Sequence, residues 1–308
     1  MTSRVREGEF RGLSYSRCNL CPRMCGVDRT KRAGFCGCGA GIKAARAALH
    51  NWEEPCISGD RGSGTVFFSG CTLRCRYCQN RKISLGGFGK DISPERLAEI
   101  FIELQRKGAH NINLVTATQY IIPVIEALDI AKPELRIPVV YNCGGYERVE
   151  TVRALKGYID IFLPDIKYFS PELSRRYSMA ADYFETACAA VSEMAVQVGP
   201  PVFGKDGLMK SGLIVRHMVL PGQRRDSIKI LEWLADNLPR GGFLLSLMSQ
   251  YTPYATDDEY RELNRRVTSY EYESVVNKAV ELELTSGYMQ EKSSAQEEYT
   301  PPFGLEGI

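Results

Sequence analysis

No run of about 18 apolar residues occurs anywhere in the chain, so no transmembrane helix is expected. The N-terminus, MTSRVREGEF, lacks the apolar centre of a signal peptide, and a cytoplasmic location is expected. Charge of one sign is missing as well. Lys and Arg number 39 against 37 Asp and Glu, which argues against wholesale nucleic-acid or membrane binding. Histidine is scarce, with three residues. His50 and His110 read as ordinary. His217 alternates with Val215 and Val219, which leaves its face undecided and favours a core or surface position over substrate contact.

Cysteine is abundant instead. Eleven occur, nine of them before residue 80, with Cys143 and Cys188 alone later. Reducing conditions disfavour structural disulfides, and the odd count fits them poorly, so clustered thiols read as metal ligands or catalytic groups. The asymmetry separates a cysteine-rich head, residues 1–62, from an α/β body at 63–255 and a helical extension with a tail at 256–308. Hydrophobic residues make up 44%, enough for a core.

The head from about Cys18 to Gly62 has little periodicity, which suggests loops stapled by ligands. Short apolar runs at 64–70, 112–116, 138–142, 159–165, 212–220 and 243–251 read as strands. Helices are expected between them: at 91–108 with Ser93 as N-cap and Pro94 at the first position, at 121–131, 147–156 and 182–198, and at 226–238 with Asp226 as cap. Six strands alternating with helices imply a parallel sheet covered on both faces, and six units favour a partial (β/α)6 barrel over a closed one. Beyond Tyr254, Thr256 and Glu259 suggest a capping box, and a further helix is expected near 270–284. The tail YTPPFGLEGI either packs back on the body or is loose.

The stretch SGCTLRCRYCQN, residues 69–80, spaces Cys71, Cys75 and Cys78 as C-x-x-x-C-x-x-C directly after the first body strand. A disulfide scaffold, a zinc site and an iron–sulfur cluster with one open iron compete. Active groups of parallel α/β folds gather at the C-terminal strand ends, where this triad sits. Three thiolates suit three corners of a 4Fe–4S cubane, and no fourth cysteine follows at matching spacing. Zinc sites usually pair two short C-x-x-C knuckles, whereas this loop is a single triplet, so the open-iron cluster is preferred.

CTLRCRYC, with Tyr77 before the last cysteine, resembles the signature of the radical S-adenosylmethionine (SAM) superfamily, and the likeness extends over roughly residues 64–254. More narrowly, GSGTVFFSGCTLRCRYCQN, VVYNCGGY, DIFLPDIKY and VRHMVLPG resemble the PflX subfamily, homologues of the activating enzyme of pyruvate formate-lyase. The head segment CNLCPRMCGVDR resembles that subfamily's N-terminal motif. The resemblance implies an enzyme whose open iron chelates the amino and carboxylate groups of SAM. Its reduced cluster would cleave SAM to methionine and a 5′-deoxyadenosyl radical that abstracts hydrogen from a substrate. Relatives meet the SAM amino group with a Gly-Gly-Glu motif after the second strand. Here that slot reads NLVTATQY, so the resemblance assigns it to Thr116 and Thr118. It further implies Asn142 at the ribose, where relatives often carry Asp, Asp165 and Lys167 as site residues, and Tyr77 by the adenine. No catalytic acid or base is assigned. The plainer reading makes the threonines strand ends and Asn142, before Gly144 and Gly145, a turn residue.

In the head, Cys18, Cys21, Cys25 and Cys36 suit a second metal, as structural zinc or an auxiliary cluster, with Cys38 and Cys56 spare. Arg74, Arg76, Arg81 and Lys82 crowd the triad. They either dock an acidic flavodoxin or ferredoxin or form a solvated basic face. The substrate classes are a glycine of a partner glycyl-radical enzyme, another peptide, or a small molecule. Readings from other classes are an iron–sulfur electron carrier that never cleaves SAM, disfavoured because carriers normally fill all four irons with protein ligands, and a head-driven metal-binding module.

Overall fold

A computed structural model describes residues 8–253, 258–290 and 301–308. Strands β1 (Glu9–Phe10) and β2 (Leu13–Ser14) form a small antiparallel ribbon. The main sheet contains β3 (Ile42–His50), β4 (Ser63–Phe68), β5 (Lys90–Ile92), β6 (Ile112–Val115), β7 (Val139–Cys143), β8 (Ile161–Pro164), β9 (Val202–Phe203), β10 (Met209–Met218), β11 (Leu244–Met248) and β12 (Gly287–Met289). Its order is β12-β11-β10-β8-β7-β6-β4-β3-β5, with β9 attached to β10. All pairings from β12 to β4 are parallel, while β3 runs antiparallel to both β4 and β5.

The six strands expected from the sequence are β4, β6, β7, β8, β10 and β11, in an α/β arrangement with a mostly parallel sheet. Four strands of the main sheet, and the β1–β2 ribbon, were not anticipated. β3, IKAARAALH, is rich in alanine, a poor strand former, and its residues had been counted with the head. The sheet therefore begins before residue 63. β5, β9 and β12 have only two or three residues each, too few to show a period. The boundary expected at 255 and the Thr256 cap lie outside the described residues. The helix that follows, Ser269–Glu281, carries a capping box made by Thr268 and Glu271.

Strand alternation divides the sheet into two faces. Outward residues such as Val66, Phe68, Leu114, Tyr141, Phe162, Val215 and Leu247 pack beneath the helices in the largest core cluster. The helix Pro94–Arg106 covers part of that face. Its Ser93 hydroxyl accepts the Arg96 N–H at 3.2 Å, a cap that contributes about 1 kcal/mol. Leu97, Ile100, Phe101 and Leu104 are buried on one side of it, each contributing roughly 1.5–3 kcal/mol.

Inward residues form a different core. Val140, Ile161, Leu163 and Ile214 pack with Cys56 and Ile57 of the short helix Pro55–Ser58, which plugs the sheet's concave side. Five strand spacings separate β4 from β11, roughly 24 Å if flat. Yet the loop after β4 and the end of β11 line one cavity, so the sheet curves strongly. Among the described residues its edge strands, β12 and β5, do not pair with each other.

Residues 15–41 of the head contain no helix or strand. The tail packs back on the body. Phe303 meets Phe67 edge to face at 5.5 Å, and Ala47 N–H donates to the Glu306 carbonyl at 2.8 Å. Among the described residues no helix is long and apolar enough to cross a membrane.

Candidate active site

The C-terminal ends of the parallel strands open into one cavity. Cys71, Cys75, Cys78, Tyr77, Thr116, Thr118, Asn142, Asp165 and Lys167 all line it. Residues chosen from four separate segments are thus brought together because each follows, or ends, a strand of the parallel sheet.

The cysteine loop is held from several sides. Gly70 has φ +81, and a Cβ there would collide with Cys38 Sγ, so glycine lets the head abut the loop. Cys71 N–H donates to the Cys36 carbonyl at 3.3 Å, Arg23 of the head donates to the Thr72 carbonyl at 2.9 Å, and Arg76 N–H to the Tyr177 carbonyl at 2.9 Å. Each sulfur accepts one hydrogen bond. The Leu73 N–H donates to Cys71 at 3.4 Å, the Ser178 hydroxyl to Cys75 at 3.0 Å, and the Ser84 hydroxyl to Cys78 at 3.3 Å. Such donors stabilise charge on sulfur and so favour the reduced state of a cluster held there.

Burial pushes the Cys71 thiol up to about 12, and Cys75 and Cys78 add to the push. Burial raises Cys78 as well, with Cys75 next. The three thiolates repel one another, so as a set they are stable only around cationic metal. All eleven cysteines are free. Among the described residues no three His, Cys, Asp or Glu side chains are placed to hold a single metal ion. A cubane spreads its cysteine ligands over separate irons, so the triad fits a 4Fe–4S cluster. The same geometry gives the zinc reading of Cys18, Cys21, Cys25 and Cys36 no support. Cys18, Cys21 and Cys36 are buried and Cys25 is half-buried, behind the triad loop rather than in the cavity wall.

Tyr77 packs edge-on against Tyr168 and Tyr177, each at 6.4 Å, and Tyr251 at 6.0 Å, which fixes its ring. Thr116 sits at φ +57, a costly conformation for a β-branched residue. Its N–H donates to the Asn142 carbonyl at 2.9 Å, and its own carbonyl accepts the Gln119 amide at 2.8 Å. Those two bonds hold the strained turn in place.

Sequence reasoning missed four residues of this region: Glu53, Glu54, Glu147 and Arg216. In the segment VRHMVLPG, the candidate named from sequence is His217. His217 proves to be a core residue, 1% exposed on the helix-covered face. Its Nδ1–H donates to the Ile166 carbonyl at 2.6 Å, and burial pushes its pKa down to about 4. The adjacent Arg216 therefore faces inward. The phase Ile214, Arg216, Met218 was the available signal.

Arg216 organises a partly buried charge network. Its Nε donates to Asp165 at 3.0 Å, one terminal nitrogen to Glu53 at 3.1 Å, and the other to the Asn142 side-chain oxygen. Asn113 and Asn142 donate to the second Glu53 oxygen at 2.9 and 3.3 Å, and Lys167 pairs with the second Asp165 oxygen. Burial pushes Asp165 up, but Lys167 and Arg216 more than offset it and hold the carboxyl below its ordinary value. For Glu53 burial wins: Arg216 and Asn113 pull back only in part, Asp165 adds to the push, and the carboxyl stays raised.

Glu147 was expected near the start of a helix. The helix is Val149–Ala154, and Glu147 turns into the cavity wall instead. The chain passes so close to the Asp165 carbonyl at Gly145, φ +77, that a Cβ would collide with it. The Glu147 carboxyl accepts hydroxyls from Thr118 at 2.6 Å and Tyr141 at 3.2 Å. Burial still pushes it from 4.5 up to about 8. The folded protein thus holds a proton that the unfolded chain releases between those values, and stability falls as pH rises through that window. Replacing Glu147→Gln removes this slope. The variant's stability relative to the parent is expected to rise by on the order of 3 kcal/mol between about pH 5 and about pH 8. Urea unfolding at several pH values checks this, and a difference that does not change with pH refutes a protonated Glu147.

Asp226 was expected to cap the helix it precedes. That helix is Arg224–Asn237, and Asp226 lies in its first turn, accepting the N–H groups of Phe169 and Ser170 at 2.8 and 2.7 Å. Of the basic residues near the triad, Arg74 stacks on Phe35, Arg76 on Tyr260, and Lys82 donates to the Phe303 carbonyl at 2.6 Å.

A family model described as the radical SAM superfamily matches residues 65–234, more than half of the chain. Over 282 residues the chain is 29% identical to an uncharacterized protein of Methanocaldococcus jannaschii, covering 88% of this chain and 76% of that one. With its three-cysteine loop at the mouth of the cavity, the chain belongs to the radical SAM superfamily, whose members cleave SAM with an iron–sulfur cluster.

Proposed function

We propose that this protein is a hydrogen-abstracting radical SAM enzyme of the PflX subfamily, homologous to the activating enzyme of pyruvate formate-lyase. The observation that carries the proposal is the meeting of the Cys71, Cys75 and Cys78 sulfurs with six polar or aromatic residues from successive strand ends in one cavity. When bound, the reduced 4Fe–4S cluster supplies the electron that cleaves SAM to methionine and a 5′-deoxyadenosyl radical. Cys71, Cys75 and Cys78 would hold three of its irons.

The chain's other residues bind, orient and exclude water. Tyr77, immobilised by three tyrosines, offers an aromatic edge for the adenine. Asn142 is positioned by Arg216 for a sugar hydroxyl. Glu147, bridged to Thr118, supplies the carboxyl acceptor for an amino group that the slot NLVTATQY itself lacks.

The sequence resemblance also supports a finer reading: hydrogen abstraction from a glycine α-carbon of a partner glycyl-radical enzyme, with a flavodoxin or ferredoxin as reductant. A glycyl-radical enzyme incubated anaerobically with the reduced protein and SAM is expected to develop a stable glycyl doublet by electron paramagnetic resonance. Silence from every such enzyme of the source organism, while SAM is still cleaved, would leave another peptide or a small molecule as substrate.

A further inference from the structure

Beside the main cavity, on the concave face of the sheet, lies a second chamber of about 160 Å³, room for a side-chain-sized group. The two share a wall that includes Asn80, Val115, Asn142, Arg216 and Met248. The second chamber's own lining comes from the segment after β3 and from the far edge of the sheet: His50, Trp52, Glu53, Glu54, Ser246 and Tyr288.

The charges here do not balance. Three carboxylates, Glu53, Glu54 and Asp165, stand against two cations, Arg216 and Lys167. Both cations are spoken for. Lys167 pairs with Asp165, and Arg216 is shared among Asp165, Glu53 and Asn142. Glu54 is 8% exposed, and its Oε2 has no hydrogen-bond partner at all. Burial pushes this carboxyl up, Arg216 pulls it back only in part, Glu53 adds to the push, and a hydrogen bond from Ser246 to the carboxyl is a smaller pull downward. The histidine of the wall, His50, brings no compensating charge, since burial pushes its pKa down to about 4.

A buried carboxyl oxygen without a partner is costly, and a bound cation that hydrogen-bonds to it removes that cost. The remaining walls point to the same kind of ligand. Trp52, 51% exposed at the chamber, Phe67 and Tyr288 are aromatic, and aromatic faces attract cations. We propose that this chamber is a substrate subsite for an organic cation, an alkylammonium or alkylguanidinium group, anchored by the free oxygen of Glu54. The cation takes the place of the proton that burial favours on Glu54 and supplies the charge that Arg216 and Lys167 leave short by one. Binding there also places the rest of the substrate over the shared wall, towards the first cavity. The role as a substrate subsite rests on the reading of that first cavity as the SAM site; the binding of a cation does not.

The test reads binding rather than turnover. The chain has two tryptophans, Trp52 and Trp233. A Trp233→Phe background leaves Trp52 as the single tryptophan, read beside the chamber with excitation that spares tyrosine. The full-length, cluster-reconstituted protein is titrated, with and without SAM, with butylammonium, butylguanidinium, the capped tripeptide Gly-Lys-Gly, and neutral pentanol. The cations are expected to change Trp52 emission saturably and to bind at least about tenfold more tightly than pentanol, as befits a charge-assisted contact to a buried carboxyl. Preference for the tripeptide over butylammonium identifies a basic polypeptide side chain; the reverse identifies a small amine. Glu54→Gln is expected to erase the preference, and Glu54→Asp, which keeps the charge, to retain most of it. Equal binding of pentanol and the cations, or an undiminished preference in a folded Glu54→Gln protein, overturns the proposal. If SAM is not cleaved but the preference for cations stands, the cofactor reading fails and the cation site survives. If SAM is cleaved and no preference is seen, the cation site alone is lost.

Discussion

Alanine at Cys71, Cys75 or Cys78 is expected to abolish SAM cleavage, measured as 5′-deoxyadenosine released by the anaerobically reconstituted, dithionite-reduced protein. Each sulfur would hold its own iron, so one missing thiolate exposes a second iron and leaves the cluster labile. Loss of a partner that merely orients a metal ligand costs about 10–100-fold, so removal of a ligand itself is expected to exceed 100-fold. Bound iron should fall in parallel. Cys188→Ala serves as the contrast. That thiol is buried on the helix Tyr183–Val198, outside the cavity, and its loss is expected to leave cleavage intact. Full cleavage by any triad variant, or equal loss in the Cys188 variant, would sink the assignment of the cluster to this loop.

The second large effect is on stability. Arg216→Met fills similar volume but strips the charge from a network in which the Asp165 and Glu53 side chains are only 15% and 8% exposed. Removing one partner of a buried ion pair leaves uncompensated charge and costs about 3–5 kcal/mol. For a chain of this size that corresponds to a fall in Tm on the order of 10 °C. The pH dependence follows from Asp165. Its folded value lies below the ordinary one because Lys167 and Arg216 outweigh burial, so its contribution is present at neutral pH and is lost as pH falls through that depressed value. The gap between variant and parent is therefore widest near neutrality and narrows in acid, where the carboxyls take up protons in both proteins. Thermal melts across that range check the pattern. A loss below about 1 kcal/mol at neutral pH would mean that water or Lys167 takes over the role of Arg216.

Local patterns in the chain carried much of the architecture. The six apolar runs became six parallel strands because each is short, continuous and covered on both faces, and Ser93–Pro94 marked a helix start that the structure reproduces. The C-x-x-x-C-x-x-C loop was legible because its ligands are neighbours in sequence, and its position after a strand pointed to the end of the sheet where Tyr77, Thr116, Thr118, Asn142, Asp165 and Lys167 now line the same cavity.

What sequence could not reveal depends on contacts between distant segments. β3 escaped notice because its strand character comes from pairing with β4 and β5, not from alanine's own preference. That pairing carries the chain on to Glu53 and Glu54, beneath Asn142 and Arg216, roughly 90 and 160 residues away in sequence. No periodicity marks a carboxylate that matters only because a distant guanidinium is already engaged elsewhere. Glu147 sits in a turn whose direction is set where Gly145 passes the Asp165 carbonyl, a contact between two strands' ends. Even the choice between Arg216 and His217 was one of phase, and the phase of β10 was decided by which face of the sheet the helices covered. Ligand spacing along a loop is short-range chemistry and can be read directly; burial and charge balance are properties of the assembled sheet, and only its curvature brought these side chains together.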